Sequence, residues 1–112
     1  MRRVLVRYKV KPERAAENEE LVRAVYAELR ERQPAGLRYA TFKLEDGVSF
    51  VHLAEHDEGL SDQLTQLAAF ERFQDGIAER CDEPPVVKTL TAVGSYRLFS
   101  DDSPGGSQGM ER

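Results

Sequence analysis

The chain has one cysteine, two histidines and no tryptophan among its 112 residues. A lone cysteine, Cys81, excludes an intrachain disulfide and any cysteine-rich zinc site, and fits a reducing, cytoplasmic setting. Long apolar runs are missing too. No window approaches the roughly 18 apolar residues of a membrane span. The first ten residues, MRRVLVRYKV, are basic but lack the unbroken apolar stretch of a secretion signal. Positive charge is also in short supply: 16 Lys and Arg against 20 Asp and Glu leave a formal net charge of −4. Nothing in that balance draws the chain as a whole to nucleic acid or to an anionic membrane. Nucleophile elbows, P-loops, dinucleotide fingerprints and CxxC pairs are absent from the sequence.

What is present is enough for one small core. A single domain is expected over residues 1–99. From Ser100 the chain reads SDDSPGGSQGMER, too polar to offset the entropy of ordering, so residues 100–112 are expected to form a disordered tail.

Hydropathy alternates from Val4 to Val10, with Val4, Val6, Tyr8 and Val10 on one face and Leu5, Arg7 and Lys9 on the other, which is strand periodicity. Pro12 ends that run and suits the first turn of a helix. Leu21, Val22, Val25, Tyr26 and Leu29 then recur at steps of three and four, predicting a helix over Glu13 to Arg32, closed by Gln33-Pro34-Ala35-Gly36. A second strand is expected from Leu37 to Leu44, a tight turn at Glu45-Asp46-Gly47, and a third strand from Val48 to Glu55. Leu60, Leu64, Leu67, Phe70, Phe73, Ile77 and Cys81 restore helical spacing, predicting a second helix from about Ser61 to Arg80, broken near Ala68 and closed by Pro84-Pro85. Val86 to Phe99 reads as a long last strand.

The order β-α-β-β-α-β is the ferredoxin-like plan, an α+β fold with two helices on one face of a four-stranded antiparallel sheet. The other face would carry Leu5, Val51 and Leu53, too apolar to leave wet. A homodimer packed sheet to sheet is the expected solution.

One string looks like metal chemistry. His52 to His56 spells HLAEH, the H-x-x-E-H pattern of the inverzincin peptidases. Two histidines share a zinc only with both ring nitrogens about 2 Å from it. Four residues apart on a helix they can do so. On a strand rising about 3.3 Å per residue they stand about 13 Å apart. The preceding DGVSFV is turn and strand sequence, so the zinc reading fails. His52 remains, on a strand face with Val48, Phe50 and Ala54, as either a hydrogen-bonded core histidine or a base lining a pocket. His56 at the strand exit is either a solvated loop residue or part of that pocket.

The third strand also approximates an RNA-binding pattern, but Asp46 replaces its cation, and Val48 and Leu53 stand where stacking aromatics are needed. Arg2, Arg3, Arg7, Lys9 and Lys11 form a basic run expected to pair with acids across the sheet or dimer rather than to bind an anionic ligand. Cys81 beside Asp82 and Glu83 is expected to keep its proton. Tyr8, Tyr26, Tyr39, Phe42, Phe50, Phe70 and Phe73 are core residues or walls of a cavity between sheet and helices.

VRYKVKPERAAENEELVRAVYAEL, QPAGLRYATFKLEDGVSFVHLAEHDE, LAAFERFQDGIAER and PPVVKTLTAVGSY together resemble the antibiotic biosynthesis monooxygenase-like group of dimeric α/β-barrel proteins. The resemblance covers about residues 3–97. It rests on Pro12 after the first strand, the Pro34-x-Gly36 turn, the SFVHLAE strand and the AFERF helix segment. It implies a homodimer whose sheets form a barrel, with a cavity between sheet and helices in each subunit. Some members of that group are cofactor-independent oxygenases acting on quinols or polyketide phenols, and some degrade haem. On that implication no metal or flavin is needed, His52 is the base that deprotonates a phenolic ligand, and Tyr8 or Tyr39 orients it. Phe50, Phe70, Phe73, Tyr26 and His56 would line the pocket. Enzymatic members often carry a Trp just after the third strand, where this chain has His56, and a His in the following helix, where it has Leu64 or Gln66. A non-catalytic module that binds a small ligand or simply dimerises is the alternative.

Overall fold

Four strands and three helices make up the computed structural model, which describes residues 2–57 and 63–98. Strand β1 (Arg2–Val10) occupies the inside of the sheet because its alternation buries Tyr8 and Val10 on one face. A 3-10 turn at Pro12–Arg14 leads into α1 (Ala15–Arg32). That helix buries Asn18, Val22 and Val25 and ends where Gln33 takes a left-handed conformation, its N–H bonding back to Leu29 O. Strands β2 (Leu37–Lys43) and β3 (Ser49–His56) follow as a hairpin. At the turn, Asp46 accepts hydrogen bonds from the backbone N–H groups of Val48 and Ser49 and from the Ser49 hydroxyl. Gly47 supplies the positive φ, 79°, that the turn requires. Those three donors hold the Asp46 carboxyl down at about 2.

The sheet order is β2-β3-β1-β4, antiparallel throughout. The fold is therefore the α+β ferredoxin-like arrangement expected from the sequence. HLAEH lies on β3, as the spacing argument requires. Arg3 of the basic run pairs with Glu55 across the sheet, Nε to Oε2 2.7 Å.

The second crossover departs from expectation. In place of one helix there is a 3-10 turn at Leu64–Gln66, then α2 (Ala68–Gln74), then α3 (Ile77–Arg80). The expected break falls at Leu67, which is extended. A second break falls at Asp75-Gly76, where Gly76 has φ 75°. The apolar spacing of Phe73, Ile77 and Cys81 runs through the break because α3 returns to the same core. The kink is secured by Arg80, whose Nη2 donates to Phe73 O (2.7 Å) and Nη1 to Asp75 O (3.4 Å) at the end of α2. The expected beginning of this helix, at Ser61, lies outside the described residues.

The last strand is also placed differently. Strand β4 runs from Cys81 to Thr89, so Cys81 opens a strand and does not close a helix, and Pro84-Pro85 lie inside it. Proline is tolerated there because β4 is an edge strand and its pairing with β1 slips between Arg7 and Lys9, opposite the two prolines. Leu90 to Leu98 have no regular structure, and Phe99 and the expected tail lie outside the described residues. Among the described residues no helix is long and apolar enough to cross a membrane.

Candidate active site

His52 sits mid-strand on the helix-covered face, with Val6 of β1 and Thr41 of β2 as its cross-strand partners. It is 4% exposed. Both ring nitrogens are engaged. Nε2 lies 2.8 Å from Tyr8 Oη. Nδ1 lies 2.6 Å from Tyr39 Oη and 3.1 Å from Thr41 Oγ1. Alternation on three adjacent strands puts Tyr8, His52, Tyr39 and Thr41 on one face, which is why the cluster assembles.

The cluster extends in both directions. On one side Asn18 Nδ2 donates to Tyr8 Oη (2.9 Å), and Arg80 Nε donates to Asn18 Oδ1 (3.1 Å). On the other, Tyr26 Oη and Thr41 Oγ1 are 2.8 Å apart. A hydrogen-bonded chain thus runs from a fully buried guanidinium, through an amide, a phenol and an imidazole, to three hydroxyls. Arg80 also lies over the Phe73 ring, 5.4 Å from its centroid.

Burial governs the protonation states. It pushes the phenols of Tyr8 and Tyr39 far above their ordinary range and raises that of Tyr26. For Tyr8 the Asn18 hydrogen bond and the Arg80 charge oppose burial without overcoming it. Burial lowers His52 to about 4, so the imidazole is neutral at physiological pH. Cys81 keeps its proton as expected, although burial is the main cause and Asp82 a lesser one.

Beside this chain lies a cavity of about 240 Å³. Tyr8, Tyr39 and His52 give it a polar end. Val4, Val6, Ala54, Phe70, Phe73, Ile77 and Val87 are among its apolar walls, and Arg2 and His56 line it from the ends of β1 and β3. Of the expected site residues, His52, Tyr8, Tyr39, Phe70, Phe73 and His56 are therefore cavity walls. Phe50 and Tyr26 are not. Phe50 stacks behind Tyr8, ring centroids 5.5 Å apart, because its place on β3 opposite Tyr8 faces the core beyond the cavity. Tyr26 stacks on Tyr39 at 5.3 Å and lines a separate shallow groove with Leu29 and Pro34.

Periodicity and motifs do not lead to Asn18, Thr41 or Arg80. For Asn18 a signal exists: it lies one turn before Val22 on the apolar stripe of α1, and a polar side chain there needs a partner. Arg80 gives none, since an Arg at a helix end is normally solvated. Among the described residues no group of three or more metal-ligating side chains is gathered.

The chain falls in the class of small α+β proteins with a ferredoxin-like sheet, here with a mainly apolar cavity, polar at one end, beneath it. Several of the solved structures similar to this chain are described as antibiotic biosynthesis monooxygenases. The first is an antibiotic biosynthesis monooxygenase, 24% identical, covering 84% of this chain and 100% of that one with a TM-score of 0.69. A conserved protein from Methanosarcina mazei Go1 is 25% identical over 80% of this chain and 89% of its own, TM-score 0.65. SnoaB, a cofactor-independent oxygenase from Streptomyces nogalater, is 18% identical over 87% of this chain and 97% of its own, TM-score 0.63. The chain has the fold of the antibiotic biosynthesis monooxygenase-like proteins. No protein-family model matches the sequence, and no curated protein matches it.

Proposed function

We propose that the protein is a cofactor-independent monooxygenase for a small phenolic molecule, and that the cavity beside His52 is its active site. The observation that carries this reading is the neutral imidazole held between two phenols at the polar end of an otherwise apolar, aromatic-walled cavity. An aromatic ligand would stack among Phe70, Phe73 and Tyr39. Its hydroxyl would pass a proton to Tyr8 Oη as Tyr8 passes its own to His52 Nε2, leaving a phenolate and an imidazolium. His52 is thus the base, reached through Tyr8, and Tyr39 orients the phenolate. The phenolate is electron-rich enough to reduce dioxygen. One oxygen atom enters a ring carbon to give a quinone, and the other leaves as water with two hydrogens from the phenol, which balances without a further reductant.

Oxygen uptake with a panel of quinols and phenols tests this. Turnover should fall at least about 100-fold in His52→Ala, the usual scale for a lost general base. Full turnover in that variant, or no uptake by the wild-type protein with any compound of the panel, would sink the reading. The likeness to SnoaB supports it at the level of the fold.

We propose further that two copies pack through the uncovered sheet face, where Leu5, Val51 and Leu53 are half-buried and Phe42 and Val86 are each 52% exposed. Light scattering at micromolar concentration should give twice the chain mass; a monomer contradicts the dimer.

A further inference from the structure

We infer that Arg80 and Asn18 are positioning residues that hold His52 in its Nδ1–H form, so that the polar end of the cavity offers its ligand a hydrogen-bond donor, from Tyr39, that favours the ionised form of a bound phenol. The inference deepens the proposed function, on which its ligand class rests.

Donor chemistry fixes the first two directions, and the third, from Tyr8 to His52, is the inferred one. A guanidinium only donates, so Arg80 Nε, 3.1 Å from Asn18, must meet the amide oxygen. The amide nitrogen of Asn18 is then the atom 2.9 Å from Tyr8 Oη, and it can only donate. With one lone pair of Tyr8 taken, its own proton has His52 Nε2 at 2.8 Å to receive it. A neutral imidazole carries one ring proton, and Nε2 acting as acceptor leaves that proton on Nδ1. From Nδ1 it points at Tyr39 Oη (2.6 Å) and Thr41 Oγ1 (3.1 Å). Tyr39 therefore accepts from His52, and its own hydroxyl proton can turn either to Thr41, its other hydrogen-bond partner, or to a ligand oxygen in the cavity. Burial sharpens the argument by keeping His52 neutral and both phenols protonated. Neither Arg80 nor Asn18 lines the cavity, so both act through the chain.

Nitrogen-15 NMR of the ligand-free protein tests the tautomer without any turnover. His56→Gln removes the other histidine and leaves His52 alone to observe. Nδ1 should resonate as a protonated, pyrrole-type nitrogen and Nε2 as a pyridine-type one; the opposite pattern overturns the inference. Asn18→Asp should invert the pattern. A carboxylate accepts from both neighbours, so Tyr8 would turn its proton to the new carboxylate and accept from Nε2–H. A folded Asn18→Asp protein with unchanged tautomer overturns the role of Asn18, and the wild-type spectrum is decisive even where that variant fails to fold. The ligand preference is read with 4-nitrophenol, whose ionised form is coloured. Binding should favour the ionised form by about tenfold, seen as a drop of about one unit in the bound probe's pKa, and Tyr39→Phe should abolish the preference. Equal affinity for the two forms, or binding of neither, overturns the selection. A failed oxygen-uptake assay with the tautomer as stated would sink the oxygenase reading alone.

Discussion

The two crossovers beneath the sheet solve the same problem differently. Helix α1 is 18 residues without interruption; it turns Asn18 and Tyr26 inwards, but its ion pairs, among them Glu19 with Arg23 at 3.1 Å and Glu28 with Arg32 at 3.2 Å, lie along its outer side. The return crossover is cut into a 3-10 turn and two short helices, and its charged contact is turned inwards through Arg80. A continuous helix spreads modest contributions over many residues, each exposed pair worth a few tenths of a kcal/mol. A broken one concentrates stability in whatever holds the break. It also leaves Phe70, Phe73 and Ile77 standing around the cavity.

Arg80→Ala is the strongest way to break that asymmetry. It takes the donor away from Asn18 Oδ1, Phe73 O and Asp75 O together and removes the stem packed on Phe73. The expected loss is about 3–5 kcal/mol in denaturant unfolding, against less than about 0.5 kcal/mol for Arg23→Ala on α1. Similar losses for the two variants would refute the contrast.

Acid should act next. His52 binds a proton near 6.5 when unfolded but only near 4 when folded, so the unfolded chain takes up more protons between those values. Stability due to this group is complete above about pH 6.5 and declines as pH falls towards 4, by up to about 3 kcal/mol. The decline should vanish in His52→Gln. A wild-type stability profile flat from pH 6.5 to 4, after subtraction of that variant's, would show that the imidazole is not buried neutral.

The smallest effect belongs to the kink itself. Gly76→Ala meets only Glu79 Oε1, at 3.7 Å from the added Cβ, so space is available and the left-handed φ of 75° is the main cost. About 1 kcal/mol is expected, with a Tm lowered by a few degrees. A neutral or stabilising result would mean that the break tolerates a side chain as freely as a regular turn of α1.

The same contrast explains what can be read from the residues alone. The sheet and α1 are legible because local pattern and tertiary environment agree there: Val4, Val6, Tyr8 and Val10 alternate in hydropathy and alternate in space. The return crossover is not, because Phe73, Ile77 and Cys81 keep helical spacing across a glycine that is not helical. Pro84-Pro85 argue for a terminator, and only the edge position of β4, a tertiary fact, makes them strand residues. Within the site, strand alternation is enough to place His52, Tyr8 and Tyr39 together. It cannot join Arg80 to Asn18, since 62 positions separate them and neither belongs to a recognisable string.

The chain from Arg80 to Tyr39 also bears on how such a sequence can drift. Its members share protons whose directions are set jointly, so replacing one changes what its neighbours are able to do. Asn18, Tyr8, His52 and Arg80 form a single hydrogen-bonded unit spread over four secondary-structure elements. A descendant that lost Arg80 would do better to lose Asn18 in the same lineage than to keep an amide with nothing to orient it. Substitutions at these positions should arrive in company, while the exposed pairs of α1 exchange one at a time.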